Sequence, residues 1–146
     1  MTSYNNPAKS PGGTPTSADY QTLATFRLAL RRFMAFSELA AAEVGLMPQQ
    51  HQALLVVKTL SMDELPSVGD VAEHLLIRHH SAVELINRLV RMELMQRLRD
   101  PQDRRRVRVA LTPLAEEKLA VLSSAHLDEL RAVRPLLMML LNHFDK

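Results

Sequence analysis

The sequence predicts a mainly helical protein interrupted once by a small β-hairpin. Three observations predict it. Apolar residues recur at helical spacing through four segments before residue 95 and again after residue 112. Between residues 95 and 111 the period shortens to two, as half-buried strands require. Charge is also unevenly placed: nine arginines lie between Arg78 and Arg108 against four acids, so that segment carries +5 while the remaining chain, nine basic against twelve acidic, carries −3. A basic block joined to an acidic remainder is the electrostatic footprint of a polyanion-binding surface.

Each element has a local cause. Residues 1–17 are Pro, Gly, Ser, Thr and Asn with almost no apolar content, and they read as a flexible tail. From Asp19 to Val44, Leu23, Phe26, Leu30, Phe33, Met34 and Leu39 form a helical stripe that Gly45 can stop. This long helix is either an ordinary core element or one that waits for a partner subunit. Pro48 suits the first turn of a second helix ending near Leu60. Ser67 and Asp70 cap a short third helix. A fourth opens between Arg78 and Ser81 and ends near Leu94. Met95–Arg99 and Arg106–Leu111 alternate as strands, joined through the polar tip Asp100–Arg105. Thr112 and Pro113 begin a final helix, which Pro135 is expected to break or kink.

Two short helices followed at once by an arginine-rich hairpin describe a winged helix-turn-helix. At 100° per residue, Ala82, Leu85, Ile86 and Leu89 of the fourth helix share one direction. His80, Ser81, Glu84, Asn87, Arg88 and Arg91 face the other way, a mixture of donors and acceptors suited to a DNA groove. Arg88 and Arg91 would more naturally reach phosphates. In the hairpin, Asp103 stands two residues before Arg105, where its carboxylate can hold that guanidinium extended. An arginine on a narrow tip can enter a minor groove. Arg104, Arg105, Arg106 and Arg108 repel one another, a poor composition for an idle loop.

The run Leu94-Met-Gln-Arg-Leu-Arg-Asp-Pro-Gln-Asp-Arg-Arg-Arg-Val-Arg-Val-Ala-Leu-Thr112 resembles the wing signature of the multiple antibiotic resistance regulator (MarR) family, an Asp-x-Arg tip followed by a strand ending in Leu-Thr. Ser67 to Leu89 is similar to that family's helix-turn-helix, and the likeness extends loosely from about residue 20 to 145. The resemblance implies a winged helix-turn-helix with flanking N- and C-terminal dimerisation helices. Its divisions would be a tail at 1–17, a dimerisation helix at 18–46, the DNA-binding domain at 47–112 and C-terminal dimerisation helices at 113–146. It further implies a homodimer on a pseudo-palindromic double-stranded DNA operator, a repressor released by a small phenolic or amphipathic effector. It maps base reading onto His79, His80, Ser81 and Glu84, and the wing role onto Asp103, Arg104, Arg105 and Arg106. Three positions depart from the family pattern: Glu93 stands where glycine is usual, Met47 where a Thr or Ser cap is usual, and Arg78-His79 where the fourth helix usually has a small polar cap.

Other chemistry finds little support in the residues. With no cysteine, disulfides, thiolate zinc and thiol redox switching are excluded. His74, His79 and His80 are spaced five and six residues apart and straddle a turn, which is not the i, i+4 spacing of a helical metal pair. No nucleophile elbow or phosphate-cradling glycine loop is present, so no enzyme and no cofactor are expected. The longest apolar run, Leu136–Leu141, cannot span a bilayer. The N-terminus shows no charged-then-apolar signal pattern, and a cytoplasmic protein is expected. An effector pocket, if present, is expected near Phe26, Phe33, Leu54 and Ile77, which would equally serve a packed core. A second reading is a winged-helix protein–protein adaptor without DNA binding, which would gain nothing from Asp103 bracing Arg105.

Overall fold

A computed structural model describes residues 12–145. The order is α1 (Ser17–Glu43), α2 (Pro48–Leu60), α3 (Val68–Leu75), α4 (His79–Arg91), β1 (Met95–Arg99), β2 (Val107–Leu111) and α5 (Pro113–Phe144). Residues 1–11 of the expected tail lie outside the described residues; residues 12–16 are exposed. Thr16 ends that stretch by capping α1. Its hydroxyl accepts from the Asp19 amide at 3.2 Å, and its own amide donates to the Asp19 carboxylate at 2.7 Å. The backbone amide of Thr16, with His143 next, holds the Asp19 carboxyl below its usual range.

The winged domain is built around Leu54, Val57, Val71, Ile86, Leu89, Leu94, Met95 and Val109, all essentially sealed from solvent. These residues come from α2, α3, α4, the turn after α4 and both strands, so helices and hairpin share one core. β1 and β2 pair antiparallel with Met95 opposite Leu111 and Arg99 opposite Val107. The loop before α3 adds a fragment of a third strand: the Val109 amide donates to the Pro66 carbonyl at 2.9 Å, and Ser67 bridges Arg108. Ser67 and Asp70 form the expected capping box on α3. The hydrogen bond from the Ser67 amide, opposed by partial burial, holds the Asp70 carboxyl below its usual range.

Both turns flanking α4's neighbours use left-handed backbone without glycine. Glu93, between α4 and β1, sits at φ 61°, so the residue that departs from the family pattern carries real strain. Leu76, closing α3, sits at φ 58°, a conformation that nothing in the residue type announced. At α2, Met47 supplies no side-chain cap; the Gln50 side chain compensates by accepting from the Met47 amide at 2.9 Å.

α1 and α5 run antiparallel beneath this domain. His143 meets Asp19 at 3.0 Å near one end of the pair, and His126 meets Ser37 at 2.8 Å near the other. Of the break or kink expected at Pro135, the break does not occur: α5 runs as one helix of 32 residues through it. Proline removes a single amide donor and crowds the carbonyl four residues earlier. Here the helix is re-anchored beyond it by buried Leu140 and by the His143–Asp19 contact, and α5 continues to Phe144.

Candidate nucleic-acid interface

The buried positions of α4 are Ala82, Leu85, Ile86 and Leu89, as the helical wheel requires. Opposite them, His79, His80, Glu84, Arg88 and Arg91 are exposed, and Ser81 and Asn87 are half-buried. Arg78 occupies the N-cap with extended backbone (φ −69°, ψ 152°) and no side-chain cap bond. The first-turn amides near His80 and Ser81 are therefore not claimed by the N-cap side chain. Asn87 has a partner that the sequence did not announce. Its Oδ1 accepts from the Arg97 guanidinium of β1, which joins the helix to the wing and leaves the Nδ2 donors out of that bond.

At the hairpin tip, Asp103 does brace Arg105, but through the backbone. Its Oδ1 accepts from the Arg105 amide at 3.0 Å, and its carbonyl accepts from the Arg106 amide at 3.0 Å. A short carboxylate two residues ahead of an amide closes an Asx-type turn more readily than it reaches a guanidinium. The ion pair expected between the two side chains is thus replaced by a turn that fixes where Arg105 leaves the chain. Arg104, Arg105 and Arg106 are all exposed.

Two wing residues not foreseen as functional are Asp100 and Arg108. They are joined by two hydrogen bonds of 3.1 and 3.0 Å and are nearly buried. The Asp100 carboxyl is held below its usual range by the Gln102 amide and then by Arg108. This pair cancels internally. The other eight arginines of the 78–108 segment are exposed, facing exposed Glu84, Glu93 and Asp103, so the +5 of the segment is carried by its surface. Strict alternation along β2 hides this, because Arg108 lies on the face opposite Val109. The available clue is diagonal: Asp100 follows Arg99, whose partner Val107 precedes Arg108.

The four residues expected near an effector pocket stand in different surroundings. Leu54 is fully buried in the winged-domain core, and Ile77 packs against that core from the α3–α4 turn. Phe33 packs edge-on against His126 with ring centroids 5.7 Å apart. Phe26 is 45% exposed and lines a cleft of about 260 Å³ with Thr22, Leu23, Leu140 and Phe144. Sequence pattern also gave no sign of His51, which is buried beside His126, with centroids 4.9 Å apart, and whose Nδ1 has no hydrogen-bond partner. Desolvation, then the neighbouring His126, pushes the His51 pKa down. His74 is tied to the Asp70 carbonyl at 2.8 Å. Among the described residues no group of three His, Cys, Asp or Glu side chains is placed to hold a metal ion, and no helix is long and apolar enough to cross a membrane.

No curated protein matches the sequence closely enough to be informative. Among solved structures, RV1404 from Mycobacterium tuberculosis is similar at 23% identity and TM-score 0.71, over 92% of this chain and 97% of that one. MepR, described as a transcription regulator of the Staphylococcus aureus multidrug efflux pump MepA, is similar at 19% identity and TM-score 0.70, over 80% and 83% of the two chains. AbsC, a MarR family transcriptional regulator from Streptomyces coelicolor, is similar at 18% identity and TM-score 0.68, over 83% and 81%. These likenesses are of fold. In sequence, residues 44–106 match the MarR family, a stretch that runs from the end of α1 to the wing tip and holds the whole of α4. Over those residues the chain is similar to the MarR family.

Proposed function

We propose that this protein is a DNA-binding transcriptional regulator that seats α4 in a major groove and the tip of the wing in the adjacent minor groove. One observation carries the reading. The outward face of α4 and the first strand of the wing are joined through Asn87 and Arg97, and both carry exposed arginines, which supports their meeting a single partner. In this reading His79, His80, Ser81 and Glu84 meet base edges, and Arg88 and Arg91 hold phosphates. Arg105 enters the minor groove from the turn that Asp103 closes, flanked by Arg104 and Arg106. A similar fold has been seen on DNA: a MepR–DNA complex matches at 20% identity and TM-score 0.64, over 82% of this chain and 95% of that one.

The active species is a homodimer, paired through α1 and α5 on a pseudo-palindromic site. It acts in the cytoplasm as a repressor, and a small phenolic or amphipathic effector releases it. The work of such a protein is binding, and no catalytic step is assigned to any residue. The test is selection of duplexes from a random-sequence pool by the purified protein. Enrichment of a two-fold symmetric motif that Arg105→Ala no longer enriches supports the reading. A pool that stays random after repeated rounds overturns it.

A further inference from the structure

Of the nine arginines between residues 78 and 108, Arg108 alone is withdrawn from the surface, with a side chain 11% exposed. Every part of its fork is used. Nε donates to Asp100 Oδ2 at 3.1 Å, and one terminal nitrogen donates to the same oxygen at 3.0 Å and to Glu64 at 3.0 Å. The other terminal nitrogen donates to the Leu65 carbonyl at 2.8 Å. Asp100 lies on the opposite limb of the hairpin, and its second oxygen accepts from the Gln102 amide at 2.9 Å. Glu64 and Leu65 lie in the loop between α2 and α3, the same loop whose Pro66 and Ser67 pair with β2. One guanidinium therefore ties both limbs of the hairpin to the segment that leads into the helix-turn-helix.

A hairpin of two five-residue strands is marginal on its own in water. This one also carries three adjacent exposed arginines at its tip, whose mutual repulsion works against a fixed tip direction. Almost-buried charges add little net stability, but they fix geometry once paired. We propose that Arg108, clamped by Asp100, is a positioning residue for DNA binding: it sets the angle at which the wing tip carries Arg105 relative to α4, without touching DNA itself. The proposal rests on the reading that Arg105 binds a groove.

Charge alone predicts the opposite of what this clamp predicts. Asp100→Asn removes an acid beside the interface and frees an arginine, so simple attraction to phosphates would tighten DNA binding. The clamp predicts weaker binding. The experiment measures affinity for one duplex, selected by the wild-type protein from a random pool. Asp100→Asn and Arg108→Lys are each compared in the wild-type and Arg105→Ala backgrounds. Asparagine keeps the acceptor for Gln102; lysine keeps the charge but cannot span Asp100, Leu65 and Glu64 at once. Each variant should lose roughly 3- to 30-fold in affinity when Arg105 is present, and less than about twofold when it is not, because the coupling runs through Arg105. Equal losses in both backgrounds, no loss, or a gain would overturn the clamp while leaving DNA binding intact. Failure of the wild-type protein to select any duplex overturns both readings together. Should Arg108→Lys not fold, the nearly isosteric Asp100→Asn decides the matter alone.

Discussion

Asp103 shows how a single carboxylate can be right in position and different in role. Spacing put it within reach of Arg105, and the structure uses the Arg105 amide rather than its side chain. The two roles make different predictions. Asp103→Asn retains an oxygen acceptor and should bind DNA within about twofold of wild type, whereas Asp103→Ala should lose roughly 3- to 10-fold, in line with one lost hydrogen bond. An ion-pair brace would make the two substitutions equally damaging, so titration of both against one duplex separates them. Arg105→Ala should cost more, about 10- to 100-fold, with little change in base preference. Substituting His80 or Ser81 should instead alter which bases are preferred, by about 1–3 kcal/mol per contact in a panel of single-base duplex variants. Much of this surface was legible, because outward positions on a helix follow from period alone. Asn87 and Arg108 were not, because their partners, Arg97 and Asp100 with Glu64 and Leu65, are set by tertiary packing that period does not encode.

At the scale of elements, the sequence was readable wherever a cap or a change of period marked a boundary. The capping box at Ser67, Pro48 and Pro113 at helix starts, and the shift from period 3.6 to 2 placed α2, α3, both strands and the start of α5. Pro135 does not end α5, because local breaking propensity is overridden when both flanks of a helix are anchored. The turn from α4 to β1 offers a test of stored strain. Glu93→Gly relieves a left-handed non-glycine residue at some cost in unfolded-chain entropy and should stabilise the fold by about 0.5–1 kcal/mol in chemical denaturation. Where α1, α2 and α5 meet, His126 donates from Nδ1 to the Leu122 carbonyl at 2.6 Å, so its Nε2 accepts from Ser37 when neutral. His51 beside it has no partner for Nδ1. Because its folded pKa lies below the unfolded value of 6.5, the unfolded chain takes up its proton first as pH falls. The stabilising effect of a neutral His51 is thus complete above pH 6.5 and is lost progressively below it, down to the folded pKa. Denaturation midpoints at pH 7.5 and 5.5 should differ in wild type and differ less in His51→Phe, which also removes a buried unpaired nitrogen worth about 1–3 kcal/mol. A wild-type midpoint that rose on acidification would contradict the assignment.

Taken whole, the molecule exposes two unlike surfaces, one apolar and one rich in arginine. Tyr20, Leu23 and Met34 of α1 and Met139, Leu141 and Phe144 of α5 are all more than half exposed, an apolar content that one protomer leaves uncovered. A homodimer through these helices is the expected occupant, so light scattering at micromolar concentration should give twice the chain mass, and deletion of residues 135–146 should return it to one. The other surface is the arginine face of α4 and the wing, on which the account as a whole depends. Its most direct test is the affinity of the wild-type protein for its selected duplex as salt is raised from 50 to 200 mM. A dimer that neutralises about 6–10 phosphates should lose roughly 10³- to 10⁵-fold over that range, as condensed counterions cease to be released favourably. An affinity that stayed flat across the same range would contradict it.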